Sequence, residues 1–410
     1  MNVKGNMQAL GRLLQHLGQR TRRSLQKPLG VDAYYFFRLS AFGATAVLPL
    51  LGAGSVNPRL PPRRVVGLLA VAAAFHAFAY VHNDVCDLEI DRTQPRRSFY
   101  PLVRGAITPR AALAVALACV PLAFGLHKLL VAPPLTPSVS RLPFRAFVPS
   151  LSRLPFRVFA PSLSRFSRRS FRVFRDPNPP THLALAFALM AAYNHWGKRC
   201  PLPPLTDLVQ AVGWAALLRY GAAAERLALA GERREPRLTK LLVAYELLLI
   251  MMVNGLHGAL RDLANDIASG ARTTAILFGA RVGADGALQV PPALVVYAAL
   301  LQTPLLALPL WGAAANLAGH GPRARLASAL GVAVVEGATL ALLLAARRGV
   351  STELGMAHLV LVLSAPIALV APGLAPHVLA PLLAAHLIPL LSNSMTYDAL
   401  RWALGVSAPR

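Results

Sequence analysis

The chain has 410 residues, 55% of them hydrophobic and only 14% charged, against about 25% charged in an ordinary soluble domain. This excludes a disordered chain, a collagen-like fibre and most soluble single domains. Lys and Arg outnumber Asp and Glu by 42 to 17, and in so apolar a chain this points to arginines facing anionic lipid headgroups rather than to nucleic acid.

In chain order, residues 1–32 form a basic segment (Arg12, Arg20, Arg22, Arg23, Lys27) without the apolar centre of a cleavable signal peptide. Apolar runs then predict membrane spans at 33–53, 65–82, 110–131, 181–196, 205–224, 238–259, 290–311 and 326–345. A last apolar stretch, 356–391, is interrupted at Pro372-Gly373. It reads as one kinked span, as a span with a re-entrant piece, or as two spans. Such segments must satisfy their own backbone hydrogen bonds in lipid, so they are helical. The expected fold is all-α, a polytopic membrane bundle of about nine helices over 33–391, with a tail at 392–410. The basic start of the chain places the N-terminus in the cytoplasm, and a cell (plasma) membrane location is expected.

The third and fourth spans are separated by 132–180, which holds nine Arg and repeats with a period of 12: Pro137-Ser138-Val139-Ser140-Arg141-Leu142-Pro143-Phe144-Arg145, then Pro149-Ser150-Leu151-Ser152-Arg153-Leu154-Pro155-Phe156-Arg157. Recurrent Pro forbids a long helix, and 12 residues are too few for a solenoid unit. The segment reads as a repeat expansion in a loop, and the alternative is membrane-surface binding through its alternating Arg and Phe. Cys86, Cys119 and Cys200 are far apart and odd in number, which supports neither a disulfide framework nor a zinc site.

Acidic residues are scarce, so their placement is informative. Asp84, Asp87, Glu89 and Asp91 crowd the end of the second span, preceded by Asn83, and Asp262 and Asp266 close the sixth. Both groups fall on one side of the membrane. On a helix Asp84, Asp87 and Asp91 share a face, Glu89 points away, and Asp262 and Asp266 share another face. Like charges at this spacing repel, and carboxylates at a membrane boundary are costly to desolvate. A solvated acidic helix end is the plainer alternative. Oxygen ligands without Cys or His suit a hard cation such as Mg²⁺, which binds one or two carboxylates together with substrate phosphates. Nearby cations, Arg92, Arg96, Arg97 and Arg104 after the first cluster, Lys198 and Arg199 after the fourth span, and Arg261 and Arg272 about the second cluster, are suited to phosphate oxygens.

The pattern Asn83-Asp84-x-x-Asp87-x-x-x-Asp91 resembles the first aspartate-rich motif of the UbiA superfamily of intramembrane prenyltransferases. Pro101-Leu102, Gly105 and Ile107 follow in similar order. Tyr193-x-x-x-x-Lys198-Arg199 is similar to that family's connection after the fourth helix. Arg261-Asp262-x-x-x-Asp266, with Gly270, Arg272, Thr273, Thr274 and Gly279, is similar to its second motif. The resemblance covers about 33–391. Tyr100 stands where many members have Arg, Gly270 where some have a third aspartate, and the 132–180 loop is longer than the family pattern.

The resemblance implies an enzyme that moves a prenyl group from a prenyl diphosphate to an aromatic or other lipophilic acceptor. It implies Mg²⁺ held by Asn83, Asp84, Asp87, Asp91, Asp262 and Asp266, and substrate held by Asn83, Arg97, Tyr193, Lys198, Arg199 and Arg272. The five aspartates would be catalytic through the metal. Tyr193 or Trp196 would face an allylic cation, and His82 and His257, beside the two motifs, are candidate bases. A terpene cyclase on the same scaffold and a membrane transporter are the alternatives. The transporter predicts acids near mid-span, where only Glu246 and Glu336 lie.

Overall fold

The computed structural model describes residues 13, 16–17, 19–27, 30–133, 178–229, 234–284, 286–346 and 351–392. The repeat segment, apart from its first two and last three residues, and the C-terminal tail beyond Ser392 lie outside the described residues.

Its elements are α1 (Val31–Phe36), α2 (Phe42–Gly54), α3 (Pro62–Cys86), α4 (Leu88–Arg92), α5 (Pro109–Val131), α6 (Pro179–Trp196), α7 (Pro203–Ala228), α8 (Arg237–Arg261), α9 (Leu263–Ala268) and α10 (Thr274–Leu277). A two-residue antiparallel pair, β1 (Arg281–Val282) and β2 (Leu288–Gln289), precedes α11 (Pro292–Ala314), α12 (Pro322–Ala346), α13 (Thr352–Val370) and α14 (Pro376–Ser392). Pro opens α3, α5, α6, α7 and α11 at the first turn, where its missing N–H costs nothing. Among the described residues, six helices, α3, α5, α8, α11, α12 and α13, are long and apolar enough to cross a membrane. The remaining apolar helices α2, α6, α7 and α14 run beside them. The protein is an all-α integral membrane bundle.

At the centre α2 packs on α7, α14 and α3, and α7 packs on α6 and α8. The α2–α7 crossing is close because Gly52 faces the Leu218 carbonyl: a Cβ built on Gly52 would lie 1.9 Å from that oxygen. The main core lies here, around Leu50, Leu68, Phe75, Leu217 and Tyr220. A second apolar cluster, Tyr245, Leu249, Met252, Leu301, Leu305, Val362 and Ala365, fills the space between α8, α11 and α13.

Two expectations are refined. The first predicted span is not one helix. Arg38 adopts a left-handed conformation (φ 45°, ψ 48°), which separates α1 from α2. The last apolar stretch is two helices. The N-terminal turns of α13 lie against His257 through Gly355, while Val370 and Leu374 reach Gly54. α14 then starts where Ala375 N–H donates to the Pro58 carbonyl (2.9 Å) and ends where Tyr34 Oη donates to Ser392 Oγ (2.9 Å). It therefore runs back along α13, so this stretch is two antiparallel helices, of which only α13 is long enough to cross a membrane. A short turn at Ala371–Gly373 makes the reversal, because Pro372 has no N–H with which to continue α13.

Since α3 and α8 run the same way, both acidic clusters arrive at one end of the bundle. The opposite end is tied by Glu225, which accepts from Arg64 (2.8 Å) and Asn57 (2.7 Å).

Candidate active site

The two acidic motifs fold alike. α3 stops at Cys86, and Asp87 leaves the helical region at φ −98°, ψ 7° before α4 begins. α8 stops at Arg261, and Asp262 takes φ −98°, ψ 6° before α9. These values lie in the sparsely allowed bridge region, where active-site residues recur. Hydrogen bonding holds each chain helix-like across the break: Asp91 N–H donates to the Asp87 carbonyl (2.8 Å), and Asp266 N–H to the Asp262 carbonyl (2.9 Å). The uninterrupted acidic helix expected at 84–91 is thus corrected to two pieces hinged at an aspartate. Asp84 and Asp91 are buried, Asp87 is half-buried, and the Glu89 side chain is 85% exposed and paired outward with Arg92.

α9 closes through Gly270 (φ 68°), a conformation glycine adopts without strain. Ala271 N–H donates to the Asp266 carbonyl (2.8 Å) and Gly270 N–H to that of Ile267 (3.1 Å). Arg272 N–H then donates to the Lys198 carbonyl (2.9 Å), joining the second motif to the connection after α6. Thr274 Oγ1 donates to the buried Asp207 on α7, which anchors α10.

The motifs are bridged side chain to side chain. Gln94 Nε2 donates to Asp262 Oδ1 (3.3 Å) and Thr93 Oγ1 to Asn265 Oδ1 (3.0 Å). Basic groups lie among the acids. Arg38 pairs with Asp84 and reaches Asp91 at 3.9 Å. Arg97 pairs with Asp91 at 2.5 Å and reaches Asp84 at 3.5 Å. Lys198 Nζ lies 3.0 Å from Asp266, and Arg261 2.6 Å from Asp262. Asn83 Nδ2 donates to Asp87 Oδ2 (3.2 Å). Arg38 and Arg97 also stack toward the rings of Tyr80 and Tyr100.

Burial pushes the Asp87 carboxyl up, with Lys198 opposing. It raises Asp266 too, against the pull of Lys198 and aided by repulsion from Asp262 and Asp87. Burial acts the same way on Asp262, but Arg261, Arg97 and Lys198 outweigh it and hold that carboxyl well below its usual range. The acids of one motif therefore feel those of the other.

The structure brings together Asn83, Asp84, Asp87, Asp91, Arg97, Lys198, Asp262 and Asp266. Arg199 and Arg272 are exposed at the rim, where Arg199 Nη2 donates to the Cys86 carbonyl (3.3 Å). Tyr193, one helical turn before Gly197, is half-buried and packs against the main core. His82 is occupied locally, with Asn194 at 3.1 Å and the Cys86 thiol at 3.8 Å. Sequence reasoning missed Arg38 and Asp207. Arg38 carried a signal, a cation inside an apolar stretch. Asp207 looked like an ordinary acid in the first turns of a helix.

The donor set, five carboxylates and an amide, has the hard-oxygen chemistry of a Mg²⁺ site. As arranged, most of these carboxylates are closed on basic side chains, and among the described residues no three Asp, Glu, His or Cys side chains converge as metal ligands would. The set fits a cation that arrives with a polyanion able to draw Arg38, Arg97 and Lys198 away.

Residues 41–140, which include the first motif, match the model of the UbiA prenyltransferase family. Among solved structures, a UbiA homologue from Aeropyrum pernix K1 in its apo form superposes with a TM-score of 0.52 at 18% identity, over 80% of this chain and 96% of that one. A structure of digeranylgeranylglyceryl phosphate synthase gives 0.48 at 14% identity, over 86% and 97%. A UbiA homologue from Archaeoglobus fulgidus, bound to GPP and Mg²⁺, gives 0.42 at 14% identity, over 88% and 98%. No curated protein matches the chain in sequence. The stretch that carries the first acidic motif thus matches the UbiA prenyltransferase family, and the bundle shares the fold of the Aeropyrum homologue.

Proposed function

We propose that this protein transfers a prenyl group from a prenyl diphosphate to an aromatic or other lipophilic acceptor within the membrane. The observation that carries this reading is the pair of like-folded acidic turns at one end of an apolar bundle, with Arg38, Arg97 and Lys198 between them. An isoprenoid tail is matched by the apolar helices, and a diphosphate head by the charged mouth.

Asn83, Asp84, Asp87, Asp91, Asp262 and Asp266 would hold Mg²⁺, whose charge favours departure of the diphosphate. Arg97 and Lys198 exchange their carboxylate partners for phosphate oxygens when the substrate enters. Arg199 and Arg272 extend the same cationic surface at the rim. As the C–O bond breaks, the electron pair leaves with the diphosphate. Tyr193 contributes an aromatic face beside the developing allylic cation. The bundle excludes water, so the acceptor captures that cation in preference to hydrolysis. The mouth faces the cytoplasm of a cell-membrane protein, in keeping with the basic N-terminal segment.

The test is incubation of purified protein in lipid with labelled prenyl diphosphates of several lengths, with and without Mg²⁺ and aromatic acceptors. Acceptor-dependent diphosphate release that stops on chelation and resumes with Mg²⁺ is the expected result. Release with a cyclic hydrocarbon and no acceptor would convert the reading to a cyclase. No release with any prenyl diphosphate would remove it.

A further inference from the structure

His257 and His358 form a buried pair that the ion pairs and hydrogen bonds at the mouth leave out. His257 lies in α8, in a π-helical turn spanning Val253–Gly258, a local distortion that recurs at functional sites. His358 lies in α13. The rings stack with centroids 5.1 Å apart, and His257 Nε2 is 2.8 Å from His358 Nδ1. One nitrogen of that contact donates and the other accepts. Of the outer nitrogens, His358 Nε2 is buried without a hydrogen-bond partner among the described residues, while His257 has the Met252 backbone within reach. A buried polar atom left without a partner is costly, and its presence in this pair calls for a use.

The position suggests that use. His257 precedes Arg261 by four residues on the same helix, so the two share a face one turn apart. Arg261 pairs with Asp262 and lies within electrostatic reach of Arg38 and Tyr100, on the far side of the mouth. The imidazole pair is therefore one turn deeper than the acidic mouth. Below it lies the apolar cluster of Tyr245, Leu249, Met252, Leu301, Leu305 and Val362. Under the transferase reading, C1 of the prenyl chain would lie just beneath its diphosphate, at about this depth.

We propose that His257 and His358 act together as the proton acceptor for the prenylated partner. This rests on the transferase reading above and deepens it: the acceptor is of a class that loses a proton on prenylation, such as a phenol or a hydroxyl-bearing lipid. The C–O bond of the prenyl diphosphate breaks and its electron pair leaves with the diphosphate. The acceptor's electron pair forms the new bond to C1. The proton displaced from the acceptor moves to the free lone pair of one outer imidazole nitrogen, and the inner hydrogen bond shares the resulting charge across both rings. No oxidant or further reactant is needed.

The test compares the wild type with His257→Gln, His358→Gln and Asp87→Ala in lipid, using labelled geranyl diphosphate, Mg²⁺ and the acceptor found active with the wild type. Two quantities are read: equilibrium binding of the labelled diphosphate, and the partition of released label between prenylated acceptor and geraniol. The His variants are expected to bind the diphosphate as the wild type does. They should lose acceptor prenylation by about 10²-fold, the size of a general-base contribution, with geraniol taking a larger share. Asp87→Ala is expected to lose binding itself. Should both His variants prenylate the acceptor at the wild-type rate, the assignment falls. It also falls if they lose diphosphate binding together with turnover, because the pair then only supports the site. If one Gln variant does not fold, the other single variant decides. A wild type that neither binds nor cleaves prenyl diphosphates would overturn the transferase reading, a result distinct from either failure of the His pair.

Discussion

At the scale of single residues, the site is a set of acids held in check by cations. Arg38 and Asp84 have side chains only 15% and 10% exposed, so removing one partner leaves a desolvated charge, at a cost of about 3–5 kcal/mol. Arg38→Met is expected to lower the thermal unfolding temperature in detergent, and adding Asp84→Asn to recover part of the loss. Equal unfolding temperatures for wild type and Arg38→Met would show that the pair has no structural weight. The motif acids obey a different rule. Asp87→Ala relieves repulsion, and Asp266→Ala relieves repulsion while releasing Lys198, whose side chain is 23% exposed and can reach water. They are expected to keep the fold yet reduce turnover by at least about 10²-fold, the scale of losing one electrostatic stabiliser. Glu89→Ala is the control from within the same cluster, since its side chain is exposed and paired with Arg92. It should retain most activity across a Mg²⁺ titration. An inactive Glu89→Ala would contradict the outward placement of that residue.

At the scale of elements, two backbone devices decide where the acids sit. One is the bridge-region aspartate that ends α3 and recurs at the end of α8. The other is the closing turn of α9 at Gly270, which fixes the Asp266 backbone and hands the chain to Lys198. A β-branched side chain in a left-handed conformation costs about 1–2 kcal/mol. Gly270→Val is accordingly predicted to weaken turnover more than global stability, measured as kcat/KM against unfolding temperature in one preparation. A fall in both together would mean that the turn serves the whole bundle. The α2–α7 crossing answers to sterics alone. Gly52→Leu drives a side chain into the Leu218 backbone, and overpacking of this kind costs about 1–3 kcal/mol or more. Reduced yield and a lower unfolding temperature are the expected outcome.

At the scale of the whole molecule, helix direction gathers the candidate chemistry at one end of the bundle. The acidic turns, the connection at 197–202 and the N-terminus of α13 share one end, while α5 ends and α6 begins at the other. Deleting 137–174, which lies outside the described residues, is expected to leave turnover largely intact in a correctly inserted protein. The repeat's Pro content denies it a packed fold of its own. Lost turnover in an inserted deletion variant would give the loop a role in closing or recruiting. Orientation is testable separately. Glu89→Cys in a protein with its native cysteines replaced should react with an impermeant thiol reagent only from the cytoplasmic face, and labelling only from outside would invert the proposed topology.

Much of this was legible in the chain. Apolar length sets the helices, because a backbone in lipid has no other way to satisfy its hydrogen bonds, and scarcity made the acids conspicuous. Asp84, Asp87, Asp91, Asp262 and Asp266 were visible as two clusters because spacing and hydropathy are local properties. The rest required the folded bundle. The break at Arg38, the hinges at Asp87 and Asp262, the Asp207 anchor and the reversal between α13 and α14 all depend on which helices are neighbours. The His257–His358 contact joins residues 101 positions apart. A single chain carries no record of such a distance in its local pattern. Only packing, which brings α8 against α13, sets one imidazole on the other.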